Sequence, residues 1–138
     1  MNALRILFST DRFNLSKVGG DFINPCCFGE DLAAWLRNKL IERQVETRAP
    51  YQEDWGWELP VKDGDQSFYL CMSGNADGST ANPNGGEWGI IVERKRSISQ
   101  RITGAGKITK DDRMVCLLNE ILNCEAAFRD VHLEDSGA

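Results

Sequence analysis

Apolar and polar positions along the chain change period several times, and each change marks an element. Leu4, Ile6 and Phe8 alternate with Arg5, Leu7 and Ser9, the period of two that a strand requires, and the apolar Leu7 predicts burial on both faces. Residues 11–29 break the pattern. Asn14, Ser16, Gly19, Gly20, Asn24, Pro25 and Gly29 predict a long connection, while Phe13, Phe22, Ile23 and Phe28 predict that it folds back onto the core. From Glu30 to Arg43 the period becomes helical, with Leu32, Ala33, Leu36 and Leu40 on one stripe and Trp35 at its border. Glu30 and Asp31 at its start, and Lys39 and Arg43 near its end, complement the helix dipole.

A strand over 45–49 follows. Trp55, Trp57, Leu59 and Val61 then alternate with Asp54, Gly56, Glu58 and Pro60, predicting a half-exposed strand with Pro60 at an edge or end. Asp63-Gly64-Asp65 predicts a turn, and Phe68, Leu70 and Met72 the returning arm of a hairpin. Residues 73–86 carry almost no apolar side chain and predict a mobile loop. Trp88, Ile90 and Val92 resume a strand. Met114, Leu117, Leu118, Ile121 and Leu122 form a second helical stripe, with Thr109 as its expected N-cap. A last strand over 128–133 precedes a frayed tail, 134–138. The expected fold is a single α+β domain over 1–138, a two-layer sandwich with a mostly antiparallel sheet and two helices on one face. The expected order is β-α-β-β-β-α-β, a ferredoxin-like variant with an extra strand.

Composition narrows the function classes. A net charge of −5 disfavours a general nucleic-acid binder, because a polyanion is repelled overall. Charge is uneven, however: Arg94, Lys95, Arg96, Arg101, Lys107 and Lys110 make the segment 94–110 a +6 stretch, leaving −11 on the rest. Gly104-Ala105-Gly106-Lys107-Ile108-Thr109 only superficially matches a phosphate loop, since Arg101 stands where the first glycine belongs and Ile108 where Ser or Thr belongs. The expected state is a solvated loop, with Arg94, Lys95, Arg96, Arg101 and Lys107 as secondary anion contacts. Five cysteines without a Cys-x-x-Cys pair predict no disulfide framework. Cys71 and Cys116 read as small buried hydrophobes, and Cys26-Cys27 as packing residues. With His132 the one histidine, neither a metal nor any other cofactor is expected. No apolar run approaches the ~20 residues of a membrane span, and the start is not a signal peptide, so no membrane association is expected and the default location is the cytoplasm.

The most distinctive stretch contains Asp54, Trp55, Trp57 and Glu58. Two indoles two positions apart on a strand share a face, and the flanking carboxylates add negative charge. Alternating indoles in a strand are ordinarily core; the sharper reading is a recognition surface. Acid–base chemistry is a weaker reading, because Glu53 and Asp54 point to opposite faces and no histidine, lysine or serine lies near in sequence. The leading expectation is a small non-enzymatic binding protein, of inhibitor or immunity type, that recognises a basic protein partner. The alternative is a small-molecule-binding domain or enzyme. Its carboxylate-lined pocket would lie between the sheet and residues 11–29, with Glu53, Asp54 and Glu58 at the rim. A third reading is a homodimer paired through an edge strand or the tryptophan face. Phe28-Gly29-Glu30-Asp31-Leu32 together with Glu53-Asp54-Trp55-Gly56-Trp57 resembles a group of small bacterial proteins of uncharacterised function. That resemblance implies a free-standing bacterial cytosolic protein and carries no activity, cofactor or site residue with it.

Overall fold

The computed structural model describes residues 3–17, 20, 22 and 27–135. Their strands are β1 (Ala3–Thr10), β2 (Glu46–Thr47), β3 (Tyr51–Glu53), β4 (Gly56–Asp63), β5 (Gln66–Ala76), β6 (Gly86–Arg94) and β7 (Arg129–Asp135). Their helices are α1 (Glu30–Glu42), α2 (Ile98–Thr103) and α3 (Arg113–Asn123). The fold is α+β with an open sheet in the order β2-β4-β5-β6-β1-β7, and β3 lies beside β2 against the same side of β4. Each pairing in it is antiparallel. Among the described residues no helix is long and apolar enough to cross a membrane.

Register divides the sheet into two unlike faces. Ile6, Phe8, Trp57, Leu59, Val61, Phe68, Leu70, Met72, Trp88, Ile90 and Val92 share one core with Leu32, Leu36 and Leu40 of α1 and with Met114, Leu118, Ile121 and Leu122 of α3. The two expected helices therefore cover one face. Burying each of these larger side chains contributes ~1.5–3 kcal/mol, so register is strongly fixed: a slip by one residue would turn the whole set outward. The other face carries Arg5, Leu7, Glu58, Pro60, Lys62, Ser67, Tyr69, Cys71, Ile91 and Glu93 by the same alternation, while α1 and α3 pack on the core face.

Several expectations need correction. The helices bracket five strands rather than three. What reads as one strand over 54–61 is a hairpin: β3 ends at Glu53, Asp54 and Trp55 form the turn, and β4 starts at Gly56. The basic stretch contains α2, closed by a capping box in which Ser97 Oγ accepts from the Gln100 N–H while Gln100 Oε1 accepts from the Ser97 N–H. The N-cap of α3 is Asp112, not Thr109; its carboxylate instead accepts from the Thr109 N–H at 2.6 Å. The chain stays in the sheet through Asp135 rather than fraying from 134. Cys116 is exposed, unlike Cys71. Cys27 is disulfide-bonded, contrary to an incidental packing role, and Cys26 lies outside the described residues.

The two long connections brace each other. Ser73–Ala76 belong to β5, so the loop expected over 73–86 shrinks to 77–85. Asn84 Oδ1 accepts from the Leu15 N–H at 3.1 Å and the Ser16 hydroxyl at 2.8 Å, and Asn82 Nδ2 donates to Asp11 Oδ2 at 3.0 Å. Phe13 and Leu15 are buried, so residues 11–17 reach the core as their aromatic and aliphatic side chains predict. Ile23 falls outside the described residues.

Candidate functional site

The Trp55 hairpin brings the two distinctive motifs together. Trp57 faces the core at 4% exposure, and its indole N–H donates to the Cys27 carbonyl at 3.0 Å. Gln52 Nε2 donates to the same carbonyl at 3.0 Å. Phe22 packs on the Trp57 ring with centroids 5.5 Å apart. Gly29 adopts φ +142°, and a Cβ there would sit 3.1 Å from Trp57 Cδ1. At Gly56 a Cβ would overlap the Met72 carbonyl oxygen of the neighbouring strand, so glycine is the residue the backbone spacing admits. Phe22, Cys27 and Gly29 ahead of α1 thus pack and hydrogen-bond against the β3–β4 hairpin.

That arrangement splits the predicted quartet. Trp55, at the turn, is 45% exposed, whereas Trp57 is core. The two indoles do not share a surface, because the turn interrupts the alternation that would have aligned them. Asp54 sits beside Trp55 on the turn and is exposed. Glu58 lies on the open face and is half-buried.

A different set assembles instead. Tyr51 pairs with Glu58, Glu58 with Cys71, and Tyr69 with both Pro60 and Glu93. Cross-strand partners share a face, so Tyr51, Glu53, Glu58, Tyr69 and Glu93 lie on the open face, with Glu53 nearest the hairpin tip and Tyr69 and Glu93 level with Pro60. Desolvation raises the Glu58 pKa, opposed by the Cys71 thiol that donates to Glu58 Oε1 at 3.7 Å, while Glu93 adds to the rise. Burial, then Glu93 and Glu58, push the Cys71 thiol far up, with Glu53 adding its share. Burial and the nearby carboxylates thus favour the protonated Cys71 thiol, the less nucleophilic form. Tyr51 and Glu93 escape a sequence reading because register alone, across β3–β4 and β5–β6, makes them neighbours of Glu58.

The predicted anion contacts separate likewise. Arg94 is structural: its guanidinium pairs with Asp112, donates to the Gly106 carbonyl at 3.2 Å and lies 5.6 Å over the Phe68 ring. Arg96 donates to the Ala105 carbonyl at 3.3 Å. Arg101 and Lys107 are exposed on and after α2. Lys95 lines a concavity of about 470 Å³ at the β2–β3 end of the open face, shared with Arg48, Tyr51, Lys62, Ser67 and Tyr69. The expected carboxylate-rimmed pocket against residues 11–29 is not where this concavity lies; of its lining residues Glu46 alone is acidic. Among the described residues no group of three or more His, Cys, Asp or Glu is placed to hold a metal ion.

Comparison of the chain with protein families, curated proteins and solved structures finds no match.

Proposed function

We propose that this is a non-enzymatic binding protein, of inhibitor or immunity type, that grips a basic protein partner with the Trp55 hairpin tip and the acidic end of the open sheet face. The reading rests on Trp55: a large indole held 45% exposed on a two-residue turn whose base is anchored in the core. Interface anchors are typically such aromatics, rigid and rimmed by polar groups. Glu53, Asp54, Glu58 and Glu93 supply the rim, and complementary charge accelerates encounter with a cationic partner. Trp57 and Gly56 are the scaffold of the site and make no contact with the partner. The ferredoxin-like assignment belongs to the same proposal; it is supported by β7 returning beside β1 while the strand after α1 lies at the far edge.

The test is a binding panel of small basic proteins and Lys/Arg-rich peptides beside charge-reversed peptides, read by interferometry at 50 and 300 mM salt. Selective, salt-sensitive binding to cationic members is expected, lost in Trp55→Ala with the unfolding midpoint unchanged. Equal binding of acidic peptides, or full binding by Trp55→Ala, would sink the reading.

A further inference from the structure

The open face carries a second surface that the Trp55 site does not use. At the end of β4 away from the hairpin tip, the charge reverses. Arg48, just after β2, Lys62 of β4 and Lys95, just after β6, border the 470 Å³ concavity, whose volume lies in the range of small-ligand sites. None of the three makes an ion pair with a described residue. Glu46 is the one acid of the lining, so the site is cationic inside a protein of net charge −5.

Backbone pairing holds these groups in place. The Arg48 N–H donates to the Pro60 carbonyl at 3.0 Å, and the Lys95 N–H to the Ser67 carbonyl at 2.8 Å. Lys62 pairs with Ser67 across β4–β5. Two tyrosines wall the concavity: Tyr51, 41% exposed, pairs with Glu58 on one side of β4, and Tyr69, half-buried, pairs with Pro60 on the other. Arginine offers a planar fork to an anionic group, lysine a mobile point charge, and a phenol ring a face on which a flat ring can stack.

The geometry points to a binding site for a small phosphorylated ring compound of the size of a nucleoside monophosphate. The phosphate lies among Arg48, Lys62, Lys95 and the Ser67 hydroxyl, and the ring against Tyr51 and Tyr69. The acids Glu58 and Glu93 on the same face repel a long polyanion, which favours a small ligand over a nucleic-acid strand.

The experiment titrates ¹⁵N-labelled protein with the four 5′-nucleoside monophosphates, with adenosine and inorganic phosphate as separate halves, and with a ten-nucleotide single strand. The expected result is saturable shifts confined to residues around Lys62, Ser67, Tyr69 and Lys95 with at least one monophosphate. Neither half should match it. Affinity should fall at least tenfold in Lys62→Glu/Lys95→Glu and about fivefold in Tyr51→Ala, and stay unchanged in Lys17→Glu. Both lining variants should keep the wild-type amide spectrum away from the site, and Trp55→Ala should bind normally. No saturable shift up to 10 mM, a half that binds as well as the whole, tighter binding of the strand per nucleotide, or indifference to charge reversal would each overturn the assignment.

Discussion

Replacing Trp57 by alanine should unfold this protein's most constrained corner, and replacing Trp55 should not. Trp57 is 4% exposed, with its ring against Phe22 and beneath Gly29. Removing a buried ring of this size costs ~3–5 kcal/mol, the lost transfer free energy plus the cavity left behind. The hydrogen bond adds little to that figure, because the Cys27 carbonyl keeps Gln52 Nε2 as a donor when the indole goes. Trp57→Phe isolates the bond and the shape change and should cost only ~1–2 kcal/mol. Trp55→Ala, at an exposed turn, should stay within ~0.5 kcal/mol. Urea unfolding followed by far-ultraviolet circular dichroism measures all three, since three tryptophans remain and fluorescence alone would mix their signals. A loss above 2 kcal/mol in Trp55→Ala, or below 1 kcal/mol in Trp57→Ala, would refute the division of the two indoles into anchor and core.

Three further outcomes follow from the same geometry. Gly56→Ala should destabilise as severely as Trp57→Ala, because its Cβ meets the Met72 carbonyl and the β4–β5 ladder must part; a midpoint within 2 °C of wild type in a thermal melt would contradict this. Native protein treated with iodoacetamide at pH 8 should label at Cys116 and Cys124, which are exposed, and not at Cys71, whose burial and neighbouring carboxylates keep the thiol protonated; peptide mass spectrometry decides it. The folded-state pKa of Glu58 lies above its unfolded value, so the favourable state is present at low pH and is lost as pH rises through the raised value. Glu58→Gln should therefore gain stability over wild type at pH 7 and lose that advantage below the ordinary carboxylate range near 4.5; an advantage that grows on acidification would contradict it.

The core was legible because both periods in the sequence are set by burial. The stripe Leu32, Leu36, Leu40 and the alternation Leu59, Val61 and Phe68, Leu70, Met72 all face one interior. The hairpin at Asp54-Trp55 was not, since the apolar alternation runs on through it and outweighs the turn preference of Asp54. Gly56 was the available signal: an interior glycine that marks close backbone approach. The strand expected over 45–49 appears as β2, two residues long; β3, three residues long, exists through its pairing with β4, which propensity cannot foresee. Helix α2 was announced by Ser97 and Gln100 at capping-box spacing, yet Ile98 and Ile102 bury nothing, so hydrophobic period gave no sign of it. Arg94 read as a free cation because its partner Asp112 lies eighteen residues away.

Both proposed sites owe their existence to one constraint. Burying Trp57, Leu59 and Val61 fixes the register of β4, and that register sends Glu58, Pro60 and Lys62 outward in order. On the open face Glu58 therefore stands toward the hairpin tip and Lys62 toward the other end of β4, with Pro60 and its partner Tyr69 between them. The outer side chains contribute little to the core, so changing them should alter stability by ~0.5 kcal/mol or less apiece. Binding at either end can therefore be tuned without endangering the fold. A slip of one residue would expose the core and erase this outward order together, so fold and surface stand or fall on the same pairing.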